Sequence, residues 1–277
     1  MKLLFFALFV SILIAFTSIV NGQQLATPLT PEEYPYDNEV GILFGIGGNI
    51  QSGIFSSSCN CDFKNGTKFG YTFGALYEYE IMQTFELGAA ALIDYRGVES
   101  EYQEIENISV TSQQSGASER VNVLFNNLGE TDLTYFSLVP YAKWNPFRFM
   151  FVRLGLNVSF PMSTNIKHTK ILETKTAKLS TGEIVAIELP DGDGDTQIIQ
   201  DEEMPDVNSP YLSLDPAIGF TIFFSDKISF SPVFQYSMPL TNVAEIGSDF
   251  KVSTWRILFE FKFSLTDYTY FKSKSID

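Results

Sequence analysis

Histidine is almost missing from this 277-residue chain, where His168 is the only one. That removes the multi-histidine zinc site and most metal catalysis. Cysteine occurs twice, at Cys59 and Cys61, too few for a disulfide-rich scaffold. Basic residues are scarce as well: 18 Lys and Arg face 33 Asp and Glu, a formal net charge of −15. Such a chain has no basic surface to offer phosphates, so no nucleic-acid partner is expected. Beyond the first 22 residues no apolar run is long enough for a membrane-spanning helix, and the mean hydropathy is near zero. Phenylalanine, by contrast, is abundant, with 26 residues. A soluble acidic protein has no evident use for so many.

Residues 1–22 read as a secretory signal peptide. Lys2 is the charged start, Leu3 to Val20 the apolar stretch, and Val20-Asn21-Gly22 the small-x-small cleavage site. An uncleaved anchor helix is the alternative reading; the polar residues that follow favour cleavage. Residues 23–38, with Pro28, Pro31 and Pro35, then form an extended periplasmic lead.

The rest of the chain alternates apolar with small or polar residues at period 2, the signature of half-buried strands. Phe69, Tyr71, Phe73, Ala75, Tyr77 and Tyr79 form one face of a segment whose other face holds Gly70, Thr72, Gly74, Leu76, Glu78 and Glu80. Eight such segments are predicted: 39–50, 69–80, 83–96, 133–144, 149–161, 211–224, 228–240 and 253–263. Each is long enough to cross a bilayer as a tilted strand. Short turns follow the second, fourth and sixth; long loops (51–68, 97–132, 162–210 and 241–252) follow the others. This alternation predicts an all-β fold: an eight-stranded antiparallel up-and-down transmembrane β-barrel over residues 39–263, with long extracellular loops and a short tail, 264–277. Pro140, Pro216 and Pro232 fall inside strands, and bulges are expected there.

Period 2 does not say which face is outside, but volume does. An eight-stranded barrel has room for side chains and little else, so the bulky aromatic face must point outward, into lipid. The inward face then carries Glu78, Glu80, Glu86, Asp94, Asp215 and Glu260 against Arg96, Lys143, Arg153, Arg256 and Lys262. Buried charges must be paired, which predicts a plugged, salt-bridged lumen.

Several segments carry a family likeness: Glu39-Val40-Gly41-Ile42, the Phe69–Glu80 strand, Phe151-Val152-Arg153-Leu154-Gly155-Leu156, and the last strand ending at Phe263. Together they resemble the outer-membrane β-barrel domain family of Bacteroidota-type bacteria, akin to the OmpA-like transmembrane barrel. The resemblance implies the bacterial outer membrane as location, the lipid bilayer as surroundings and the outer-membrane insertion machinery as a partner that reads the terminal Phe. The last strand is followed by 264–277, so that Phe is not C-terminal as is usual in the family.

Two loop motifs stand out. Cys59-Asn60-Cys61 in an exported chain suggests a disulfide; metal binding would need further ligands, and no histidine is near in sequence. Asp191, Asp193, Asp195 and Glu202 have the spacing of a calcium loop, although Thr196 replaces its turn glycine; an acidic turn is the competing reading, and no other cofactor is expected. His168, just past the fifth segment, reads as a solvated loop residue, with Ser163 and Thr164 near in sequence. The expected role is structural, or binding of divalent cations or extracellular partners through acidic loops, and not enzymatic. A narrow transport channel and a membrane-embedded lipid-modifying enzyme or protease using His168 are the alternatives.

Overall fold

The computed structural model describes residues 37–59, 61–112, 116, 118–187, 189, 194–225 and 227–266. These belong to one compact unit, and fourteen strands make up its regular structure. In chain order they are β1 (Asn38–Ser56), β2 (Asp62–Lys64), β3 (Thr67–Met82), β4 (Phe85–Tyr95), β5 (Val98–Thr111), β6 (Ser118–Phe147) and β7 (Met150–Leu172). Then come β8 (Thr176–Lys178), β9 (Ile184–Ala186), β10 (Thr196–Glu203), β11 (Tyr211–Phe220), β12 (Ile222–Phe223), β13 (Ile228–Pro239) and β14 (Ser248–Ser264). The signal peptide, most of the lead and the tail beyond Thr266 lie outside the described residues.

Eight strands close into a ring, β1-β3-β4-β6-β7-β11-β13-β14, with every neighbour antiparallel and β14 pairing back to β1. The β-branched and aromatic residues that suit a pleated surface supply the ladder, and closure removes the edges that an open sheet would leave unpaired. Short turns at Gln83–Thr84 and Arg148–Phe149 lie at one end, where Leu265 N also donates to Asn38 O at 2.7 Å, bringing the two ends of the barrel chain together. All long connections lie at the other end.

The outward face is the aromatic one. Ile42, Phe69 and Phe261 are 65%, 62% and 51% exposed, while the alternate residues Leu43, Leu76 and Leu258 are buried. Trp255, Tyr236 and Tyr71 belt the long-loop end; Tyr79, Phe147 and Phe149 belt the short-turn end. Such girdles mark the two interfaces of a membrane-crossing barrel.

Two expectations need correction. The long loops are not irregular. β6 and β7 run for 30 and 23 residues, far past the wall. With β5 on one flank and β10 on the other they form a four-stranded sheet beyond the barrel, while β8 and β9 make a separate hairpin. Val121, Val123 and Phe125 continue the period-2 pattern, but the other row, with Asn122, Leu124 and Asn126, is mostly polar because water, not lipid, lies outside. Nor are there bulges at the prolines. Pro140, Pro216 and Pro232 stand in register with Ala89, Leu154 and Phe259. At Pro140 and Pro216 the opposite ladder lacks its bridge without slipping, so the missing N–H is lost on one side only. The register shifts fall elsewhere, one of them between Thr134 and Tyr135 against Ser163 and Pro161.

Candidate functional site: the lumen and the outer sheet

Strand register places the lumen charges in layers. At the short-turn end Glu39 lies directly across the β1–β3 ladder from Glu78, an arrangement that repels unless a cation intervenes. Lys262 Nζ supplies it, 2.7 Å from each carboxylate. Lys143 Nζ joins Glu78 to Glu86 at 2.9 Å each, and the Tyr141 hydroxyl donates to Glu78 at 2.9 Å. A bowl of about 180 Å³ opens above this layer at the barrel end. Glu80 stands apart, half-buried, accepting from the Asp37 backbone N–H at 3.1 Å.

Midway, Arg153 donates to Glu260 at 2.6 Å and to Gln235 at 3.2 Å, with its guanidinium over the Tyr141 ring. Leu43, Leu76, Leu92, Val139 and Leu258 fill the remaining space with apolar volume. Tyr141 also lies flat over Gly88, where an added Cβ would come within 2.4 Å of its ring. Among the described residues Asp215 makes no ion pair. It accepts from Asn157, Gln235, Ser213 and Ser237 at 2.6–3.1 Å, so neutral donors hold its charge. Towards the outer end Asp94 accepts from Arg96 at 2.5 Å and from Arg256 at 3.3 Å. Arg256 also donates to Asn49 Oδ1 at 2.7 Å, and the Arg96 guanidinium lies 5.9 and 5.3 Å from the ring centroids of Tyr135 and Tyr211, which stack on each other. The void left in the middle of the lumen is about 20 Å³, room for roughly one water.

Above this layer the lumen is capped by apolar side chains, among them Phe55, Phe63, Leu133, Ile166, Phe250 and Val252. A second apolar core, including Val123, Phe125, Leu172, Leu179 and Val185, fills the tip where the β8–β9 hairpin packs on the outer sheet.

The sequence missed Glu39, Asn49, Asn157, Ser213, Gln235 and Ser237. Asn157 and Ser213 share the parity of Arg153 and Asp215 on their own strands, and Glu39, Asn49, Gln235 and Ser237 lie on the inward rows of β1 and β13, so the alternation could have found them. Of the calcium-spaced residues, Asp191 and Asp193 lie outside the described residues. Asp195 pairs with Lys175, and Glu202, exposed in β10, accepts from Gln200 Nε2 at 2.7 Å.

Cys59 and Cys61 are joined as a disulfide. His168 is not a solvated loop residue. β7 continues through it, and the register shift near Met162 turns even-numbered positions inward, so His168 is buried at 1% exposure. Ser163 and Thr164 are not the partners its ring hydrogen-bonds. His168 Nδ1 lies 3.0 Å from Ser57 Oγ and 3.5 Å from Cys59 Sγ, and Nε2 donates to Asn127 Oδ1 at 3.1 Å. No histidine is near the cysteines in sequence, but the fold brings His168 to them across 109 residues, because β7 runs on past the wall. Burial, and then the charge of Lys170, push the imidazole below its ordinary value, which keeps it neutral.

No family model matches the chain, and no curated protein matches it. Among solved structures it is similar to the attachment invasion locus protein Ail of Yersinia pestis, at 12% identity and a TM-score of 0.32 over 82% of this chain and 99% of that one. It is also similar to the Neisserial surface protein A, at 8% identity and a TM-score of 0.29 over 81% and 96%. The outer membrane protease OmpT from Escherichia coli gives 9% identity and a TM-score of 0.28 over 87% and 99%. The wall itself carries the conclusion. A closed ring of eight antiparallel strands, apolar outside between two aromatic girdles and polar within, has only lipid to solvate it. The chain is an eight-stranded antiparallel transmembrane β-barrel.

Proposed function

We propose that this barrel is a sealed, non-conducting and non-enzymatic scaffold that holds a folded, acidic β-structure outside the cell for interaction with partners. The observation that carries this reading is the packing of the lumen: stacked ion pairs, an apolar middle and an apolar cap leave a void of only about 20 Å³. Eight-stranded barrels are typically filled in this way, whereas aqueous channels belong to barrels of 16–18 strands. The investment outside is the other support. Strand β5, the distal parts of β6 and β7 and the β8–β9 hairpin share a buried core, and β5, the last strand of the sheet, presents Glu99, Glu101 and Glu104 as exposed side chains. An extracellular partner or divalent cations would meet this acidic surface first. Kinship with the OmpA-like barrels of Bacteroidota-type bacteria, and insertion by the outer-membrane machinery through Phe263 on the outward face of β14, are part of the same proposal.

The test is planar-bilayer recording of the refolded chain. A sealed scaffold gives no unitary current above the bare membrane. Steady open-channel steps would overturn the reading in favour of transport.

A further inference from the structure

The only histidine and the only two cysteines of this sequence converge at one point of the outer sheet. Chain order does not suggest it. The turn after β1 carries Cys59 and Cys61, and the far part of β7 carries His168. One ligand atom from each lies within 4.8 Å of the others. Cys59 Sγ and His168 Nδ1 already stand 3.5 Å apart, about the separation of neighbouring sulfur and nitrogen ligands on one tetrahedral zinc.

The surroundings are those of a held ligand. A metal-binding histidine normally donates its other ring N–H to an oxygen, which fixes ring orientation and tautomer. Here Nε2 donates to Asn127 Oδ1, leaving the Nδ1 lone pair aimed at Ser57 and Cys59. The Phe63 ring packs edge-on against the imidazole, 5.1 Å between centroids. The cysteine turn is pinned on both sides: Ser57 N donates to Cys61 O at 3.0 Å, and Ser58 N donates to Gln200 Oε1 at 2.9 Å. Ser57 and Asn127 could also be read with His168 as a nucleophile, base and orienter. Ser57 and His168 are both buried beneath the turn, however, which gives a substrate no approach. Cys59 is exposed, so a small reductant or ion has access to the sulfurs.

We propose that the reduced form of this protein binds one thiolate-preferring metal ion, with Zn²⁺ as the probe, through Cys59, Cys61 and His168 Nδ1, and that the disulfide form does not. An external dithiol or phosphine supplies the two electrons that cleave the S–S bond, each sulfur takes a proton, and the reductant is oxidised. The metal then displaces the two thiol protons to solvent, and the imidazole gives its lone pair. Two thiolates and one imidazole suit Zn²⁺, with Ser57 or water in the fourth position.

The decisive comparison needs no variant. The refolded barrel is prepared oxidised and phosphine-reduced, loaded with ZnCl₂, desalted and assayed for metal. One Zn²⁺ per reduced chain and none per oxidised chain is the expected result. Co²⁺ in place of zinc should give thiolate-to-metal absorption only in the reduced form. Cys59→Ser with Cys61→Ser should abolish stoichiometric loading, His168→Gln should weaken it at least about tenfold, and Asn127→Ala about ten- to a hundredfold. Protease resistance of the outer sheet, together with heat-modified gel mobility for the barrel, checks that each variant has folded. Equal zinc in both redox forms, reduced wild type no better than the double serine variant, or wild-type affinity in folded His168→Gln would each overturn the proposal.

Discussion

Strand β6 passes through two environments without changing its parity. From Tyr135 to Lys143 its odd positions face the lumen and its even positions, Phe136, Leu138 and Pro140, face lipid. From Glu119 to Leu133 the odd positions still face inward but are now Val123, Phe125 and Leu133, while Asn122 and Asp132 on the even face meet water. The wall is thus apolar outside and polar within, and the outer sheet is the reverse. Each region hides the chemistry its surroundings reject. The glycines follow the same logic: Gly88 makes room for Tyr141 in the lumen and Gly129 for Phe63 in the outer core, where an added Cβ would come within 2.4 and 2.7 Å of the rings.

If this division is right, the two regions should fail differently. The largest effect belongs to the lumen. Glu78→Ala leaves Lys143 and Lys262 buried with their shared partner gone, and should cost about 3–5 kcal/mol in urea unfolding of the barrel in vesicles. A loss under 1 kcal/mol would mean that water reaches these lysines freely. Leu172→Ala, in the outer core, should cost about 2–5 kcal/mol locally. Protease should then cut near the β8–β9 hairpin while the barrel keeps its folded gel mobility; joint loss of both would make them one cooperative unit.

One substitution can be placed on each side of the boundary. Leu138→Arg, on the lipid face, should cost about 2–4 kcal/mol. Asn122→Arg, on the same face of the same strand but in water, should stay within about 0.5 kcal/mol. Equal costs would erase the distinction between the two regions.

A small, pH-dependent effect sits at the rim. Lys68 Nζ lies 3.0 Å from Asp132, whose carboxylate the Tyr95 hydroxyl also meets. Burial raises the Asp132 pKa, but the hydrogen bonds from Tyr95 and Lys68 outweigh it and hold it below its ordinary 3.8. A depressed acid contributes stability that is full above its unfolded pKa and is lost as pH falls through the folded one. Asp132→Asn should therefore cost under about 1 kcal/mol at pH 7, shrinking towards zero in acid. A cost that persists at pH 2 would assign the contact to something other than charge.

The wall was legible in the sequence because lipid demands a continuous apolar row: Phe69, Tyr71 and Phe73, or Trp255, Ile257 and Phe259, leave little ambiguity. The volume limit of a narrow barrel then settled which face was outside. The outer sheet was missed because its exposed rows, with Glu99, Glu101 and Gln103, have the composition of a loop, and only the weaker inward row of Val121, Val123 and Phe125 marks a strand. Layering in the lumen depends on register, which no single strand reveals, so Glu39 and the neutral donors around Asp215 went unnoticed. The meeting of His168 with Cys59 needed both a strand extended past the membrane and a register shift near Met162. Neither has a local signature.

The central claim is that the β6 outward face leaves lipid between Phe136 and Asp132. Single cysteines at positions 122, 126, 132, 136, 138 and 142, in a chain carrying Cys59→Ser and Cys61→Ser, can each take a bimane label and be reconstituted in vesicles of brominated lipid. Strong quenching is expected at 136, 138 and 142, and none beyond the water-only level at 122, 126 and 132. Uniform quenching along the strand, or quenching confined to the outer positions, would contradict the claim.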